Sequence, residues 1–83
     1  MNIDPLNVAF NSTCLLNISI AQSKLNQNDQ ALKTLNHCLA LNPEYAKALV
    51  KRGEINESLE NYEEAIRDFH SASEIDKTGF GVQ

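Results

Sequence analysis

The chain has 83 residues and a mass of 9.2 kDa, enough for one small domain or a piece of a larger one, because a single core saturates well above this length. Hydrophobic residues make up 42% and charged residues 22%, which excludes wholesale disorder and collagen-like or mucin-like chains. Seven basic against eleven acidic residues leave a net charge of −4, the wrong sign for holding nucleic acid or an anionic membrane by overall charge, so any anion site must be local.

Tryptophan is absent and there are three Gly and two Pro, a composition that disfavours a turn-rich sandwich or barrel and leaves an all-α fold. No apolar run approaches the roughly 20 residues that cross a bilayer. The opening MNIDPLNVAF lacks the basic start and long apolar stretch of a secretory signal, and Cys14 and Cys38 are too few for a disulfide framework. Together these predict a soluble, cytoplasmic chain with reduced thiols; the sequons at Asn11, Asn17 and Asn56 then read as chance triplets.

The apolar spacing runs by threes and fours and predicts four helices in chain order. The first ends near Leu25 and starts either at the Asp4-Pro5 signal or after an irregular lead-in. NQND then makes a turn, with Asn28 or Asp29 as cap of a second helix to about Leu41. Asn42-Pro43 marks the start of a third helix, roughly Pro43 to Leu59. Asn61 and Glu64 form a capping-box-like pair for a fourth helix from Tyr62 to Ile75, in which Glu63 and Arg67 are spaced for an i,i+4 ion pair. Gly79 supplies a positive-φ stop, and Phe80 to Gln83 reads as the start of a truncated capping helix.

Sliding the sequence along itself aligns its halves at an offset of 34: Leu15 on Leu49, Leu25 on Leu59, Ala31 on Ala65. Leu16 meets Val50, Leu32 meets Ile66, Leu35 meets Phe69 and Cys38 meets Ala72 at the same offset. The agreeing positions are those a helix pair must bury. The expected organisation is a lead-in segment over 1–11, one repeat over 12–45, a second over 46–79, and a capping start over 80–83.

A 34-residue helix-turn-helix with small residues at Ala31, Cys38, Ala65 and Ala72 resembles the tetratricopeptide repeat (TPR), over about residues 12 to 79. Gly53, Tyr62 and Pro43 stand where that family prefers glycine, an aromatic and proline; Ser19, Asn28 and Lys77 depart from it. The resemblance implies a right-handed superhelix of two hairpins of antiparallel helices, a fold for binding partners in a concave groove rather than for catalysis.

Lys47 and Lys51 are four apart and share a face of the third helix, and Asn17 is the first repeat's equivalent of Lys51. Stacking the repeats is expected to bring one amide beside two ammonium groups, a carboxylate site. This set resembles the carboxylate clamp of TPR co-chaperones, which grips the acidic C-termini of heat-shock chaperones. The clamp uses Asn, then Lys and Arg four apart. Lys51 departs from the Arg and loses its planar fork. The clamp's further Lys and Asn, from a preceding repeat, have no counterpart in this chain. The runs FNSTCLLNISIAQSKL, EYAKALVKRG and NYEEAIRDF are most similar to the TPR arrays of DnaJ proteins, although no His-Pro-Asp signature of a J domain is present.

Leu16, Ile20, Val50 and Glu54 are the further candidate groove contacts, and Glu54 with Glu57 would repel an acidic ligand beyond the Lys end. Arg52 is rotated about 100° from Lys51 and is expected to pack its stem or pair with a carboxylate. Two other readings stand beside the clamp: a scaffold that docks an apolar partner helix through Leu16, Ile20 and Val50, and the targeting tail of an enzyme such as a prolyl isomerase. The Lys pair is also compatible with a plain solvated face. Neither cysteines nor histidines have the spacing of a zinc set or a nucleophile-base pair, so no cofactor, metal or catalytic residue is expected. Two repeats fall short of the three or so needed for independent stability, which predicts marginal stability or self-association through exposed repeat faces.

Overall fold

The computed structural model describes residues 5–77, with side chains from Phe10 onward. Four helices follow in order, α1 (Pro5–Lys24), α2 (Asn28–Leu41), α3 (Ala46–Ser58) and α4 (Tyr62–Lys77). They form two compact units, one ending at Pro43 and one starting at Glu44, and each is a helical hairpin. The chain enters α1 as helix from Pro5, so the described part of the lead-in is continuous with the first repeat helix. The expected Gly79 stop, the capping start at 80–83 and the Asp4 cap lie outside the described residues.

In the first hairpin the buried positions of α1 are Ser12, Leu16 and Ser19, and those of α2 are Ala31, Leu35, Cys38 and Leu39. Ser12, Leu16 and Ser19 step by four and three, as do Ala31, Leu35 and Cys38, with Leu39 four beyond Leu35, which puts each run on one stripe of its helix. Small groups at Ser12, Ser19, Ala31 and Cys38, all 0% exposed, let the two backbones approach closely. The Cys38 thiol donates to the Ser12 carbonyl at 3.3 Å, and Ser19 Oγ donates to Leu16 O at 2.7 Å, so the small polar groups are hydrogen-bonded where they are buried. Leu35 fills the space between them; its truncation to Ala would cost about 2–5 kcal/mol.

The second hairpin buries Ala48, Leu49, Gly53, Ile55 and Asn56 from α3 and Ala65, Asp68 and Ala72 from α4. Glycine fits position 53 because a Cβ there would lie 2.8 Å from Phe69 Cε1, so any other residue would force the ring to shift. The ring occupies the space that a side chain would need.

The turns repeat at the same offset as the cores. Asn26 (φ 63°) and Glu60 (φ 65°) both take the left-handed conformation. Around each, the chain closes a Schellman motif: Asn26 N–H donates to Ser23 O and Gln27 N–H to Gln22 O, while Glu60 N–H donates to Glu57 O and Asn61 N–H to Asn56 O. The residue that ends one helix also starts the next, since the Gln27 carbonyl accepts from Ala31 N–H and the Asn61 carbonyl from Ala65 N–H.

Three local expectations are corrected. The N-cap of α2 is Gln27 rather than Asn28 or Asp29, because the Schellman turn delivers the chain directly into the helix. Pro43 lies in a turn and α3 begins at Ala46, with the Tyr45 carbonyl accepting the first helical bonds from Ala48 and Leu49. Asn61 turns its side-chain amide back to Asn56 Oδ1 at 3.2 Å, and Arg67 pairs with Glu64 at 3.6 Å in place of Glu63.

Candidate functional site

Helix α3 sorts its residues by angle, at about 100° per residue. Leu49, Arg52, Gly53 and Asn56 fall on the side turned to α4; Lys47, Val50, Lys51 and Glu54 fall on the opposite side. Two contacts fix that rotation. One is the close approach of Gly53 to Phe69. The other is a two-pronged bond in which Arg52 Nε donates to Asp68 Oδ2 at 2.8 Å and Nη2 donates to Asp68 Oδ1 at 2.7 Å. The Asp68 side chain is 7% exposed, and its hydrogen bond holds the Arg52 guanidinium pKa above its usual value, against the opposing effect of burial. Arg52 therefore acts as an anchor between helices, consistent with the expected pairing to a carboxylate.

On the opposite stripe Lys47 is exposed, and among the described residues it has no ion-pair partner. Lys51 is half-buried, and its Nζ lies 3.8 Å from Glu54 Oε1. That contact is long and solvent-facing, of the kind that contributes at most about 1 kcal/mol and can be exchanged for a stronger anion. Val50 is exposed between the two lysines.

Asn17 is exposed on α1 and belongs to the first hairpin. Its neighbours differ in access: Leu16 is buried at 7% and Ile20 is half-buried. So α3 brings Lys47, Val50, Lys51 and Glu54 onto one stripe, and α1 carries Leu16, Asn17 and Ile20 in the other unit. Of the three apolar candidates, Val50 alone offers open surface.

Two features were not foreseen from sequence. Asp68 as the partner of Arg52 is visible only once α3 and α4 are in register. The second is an open pocket of about 330 Å³ in the first hairpin, lined by Asn11, Cys14, Leu15, His37 and Leu41. Its Cys and His come from different helices, so their meeting has no signal in spacing. Among the described residues, no group of three or more His, Cys, Asp or Glu is placed to hold a metal ion. Nor is any described helix long and apolar enough to cross a membrane.

Comparison with known proteins agrees with the hairpin geometry. The tetratricopeptide repeat family model matches residues 12–45 and 46–78, and the chain belongs to this family. It is similar to human DnaJ homolog subfamily C member 7, with 32% identity over 78 residues covering 94% of this chain and 16% of the relative. The Dictyostelium discoideum homolog of that protein is 32% identical over 92% of this chain and 14% of its own length. The Schizosaccharomyces pombe homolog is 34% identical over 92% of this chain and 16% of its own length. The chain thus spans about a sixth of the length of these DnaJ-family relatives.

Proposed function

We propose that the chain is a non-catalytic peptide-binding module of a DnaJ-type co-chaperone, and that Lys47 and Lys51 on α3 receive the C-terminal carboxylate of an acidic chaperone tail. The observation that carries this reading is the stripe on α3: two cations one turn apart, held away from α4 by the Arg52–Asp68 and Gly53–Phe69 contacts, in a chain whose net charge is otherwise negative. Two ammonium groups one turn apart supply the charge. Glu54, at the far end of the stripe, sets polarity, so the ligand's terminus sits toward Lys47 and its preceding acidic residues keep clear of Glu54 and Glu57. Capture by lysines without a guanidinium fork is weak, in the range of about 0.1–1 mM.

The test is a calorimetric titration with an acidic peptide ending in a free carboxylate, beside the same peptide C-terminally amidated. The free acid is expected to bind at least several-fold more tightly; equal affinity of the two forms would remove the clamp. An apolar helix docked through Leu16, Ile20 and Val50 is the competing reading, and the burial of Leu16 disfavours it. Salt separates the two, since ionic capture weakens as ionic strength rises and apolar docking does not.

A further inference from the structure

Helix α3 carries three cations, Lys47, Lys51 and Arg52, and two of them are already paired within the chain. Arg52 is held by Asp68 on the side turned to α4. Lys51 lies on the opposite stripe with its Nζ 3.8 Å from Glu54 Oε1, three residues further on. Lys47 has no ion-pair partner among the described residues.

The Lys51 side chain is 25% exposed and that of Glu54 is 55% exposed. A half-buried lysine lays its stem along the protein surface, which narrows the positions its ammonium can take, and Glu54 is the carboxylate within its reach. Glu54 also lies in line with Lys47. It follows that residue by seven, and at about 100° per residue this brings it to within about 20° of the same line along the helix. The stripe therefore runs cation, cation, anion, with the last two in contact. Glu57 differs: it stands about 120° round the helix from Lys51 and has no ion-pair partner among the described residues.

We propose that Glu54 is a built-in competitor for Lys51, whose carboxylate occupies the ammonium in the free chain and swings away when a ligand carboxylate takes its place. The inference rests on the reading that Lys47 and Lys51 receive such a group. Chemically the two competitors are alike, each a carboxylate with two acceptor oxygens, and holding both on one ammonium would set like charges side by side. Lys47, which is unengaged, makes the first contact, and Lys51 joins by exchange. A lysine pair of this exposure is weak, so exchange lowers affinity without blocking capture. Glu54 thus keeps the complex readily reversible.

The test is a set of titrations of the 83-residue chain at about 0.15 M salt, where a screening length of about 8 Å separates contact effects from distant charge. The probes are an acidic peptide with a free C-terminus and its amidated form. Glu54→Gln is expected to tighten binding of the free acid about two- to five-fold, the range set by an exposed ion pair. Glu57→Gln, which removes the same charge, is expected to change it less than about 1.5-fold. In a Lys51→Gln background the gain from Glu54→Gln is expected to disappear. In the unaltered chain the Glu54 carboxyl carbon is expected to shift on adding the free acid and to stay still on adding the amide. Free acid and amide binding alike in both the unaltered chain and Glu54→Gln would remove the clamp and this inference with it. A clear preference for the free acid, with no gain from Glu54→Gln, an equal gain from Glu57→Gln, or a gain that survives Lys51→Gln, would overturn the competitor and leave the clamp standing.

Discussion

Gly53 and Phe69 pack closely: the first side-chain carbon of any other residue at 53 would lie 2.8 Å from Phe69 Cε1, so the ring would have to move to admit it. One repeat earlier the equivalent pair is Ser19 and Leu35, both 0% exposed. The two hairpins thus reach the same packing by opposite choices, no side chain against a large ring and a small side chain against a smaller aliphatic.

Gly53→Ser is accordingly expected to destabilise the second hairpin by about 1–3 kcal/mol through overpacking. Adding Phe69→Leu, which copies the first repeat, is expected to recover much of the loss. Chemical denaturation of the two singles and the double, taken as a cycle, measures the coupling; additive costs would show that the ring and residue 53 do not compete for space.

The Arg52–Asp68 fork gives a second cycle. Arg52→Met leaves a carboxylate at 7% exposure without its guanidinium, with an expected cost of about 3 kcal/mol at neutral pH. Replacing both, as Arg52→Met with Asp68→Leu, is expected to be closer to wild type than either single change, because the desolvated charge goes with its partner. A double variant as unstable as the sum of the singles would contradict this.

Backbone geometry supplies a stabilising change. Glu60 holds a left-handed φ of 65° at which a side chain is strained, and Glu60→Gly is expected to raise stability by about 0.5–1.5 kcal/mol. Asn26→Gly should gain less, since Asn tolerates that region better than Glu. The melting temperatures of the two variants rank the effects.

Burial pushes the Cys38 thiol pKa up, and in the fold this thiol donates to the Ser12 carbonyl. The unfolded thiol loses its proton first. Stability linked to this group is therefore complete below the unfolded value of about 8.5 and falls as pH rises through it toward the higher folded value. Cys38→Ala, the residue found at the matching position 72, is expected to flatten the alkaline loss of stability measured by denaturation between pH 8 and 10. An unchanged slope would assign that loss to other groups.

The hairpins were legible because the 34-residue offset and the threes-and-fours spacing mark the helix pairs: Leu35, Ala31 and Ala65 are buried as that pattern requires. The matched Leu25, Leu59, Val50 and Ile66 stay exposed, because similarity of side chain does not say which face a neighbouring helix covers. Helix starts were less legible. Gln27 and Tyr45 begin helices through backbone geometry alone, and no side-chain rule names a glutamine or a tyrosine as a cap. The α3 stripe followed from angular spacing within one helix. Asp68 and the pocket of Cys14 with His37 did not, because each depends on how two helices slide past one another. Leu16 shows the same limit: its spacing allowed a groove contact, and packing buries it.

The most direct measurement is a two-dimensional amide NMR titration of the labelled chain with an acidic peptide carrying a free C-terminus. Shift changes are expected to concentrate at Lys47 and Lys51, to shrink with added salt and to vanish in Lys47→Ala/Lys51→Ala. Changes centred on Tyr62 and Ile66 of α4, or a response that the lysine double variant leaves intact, would contradict carboxylate capture on the α3 stripe.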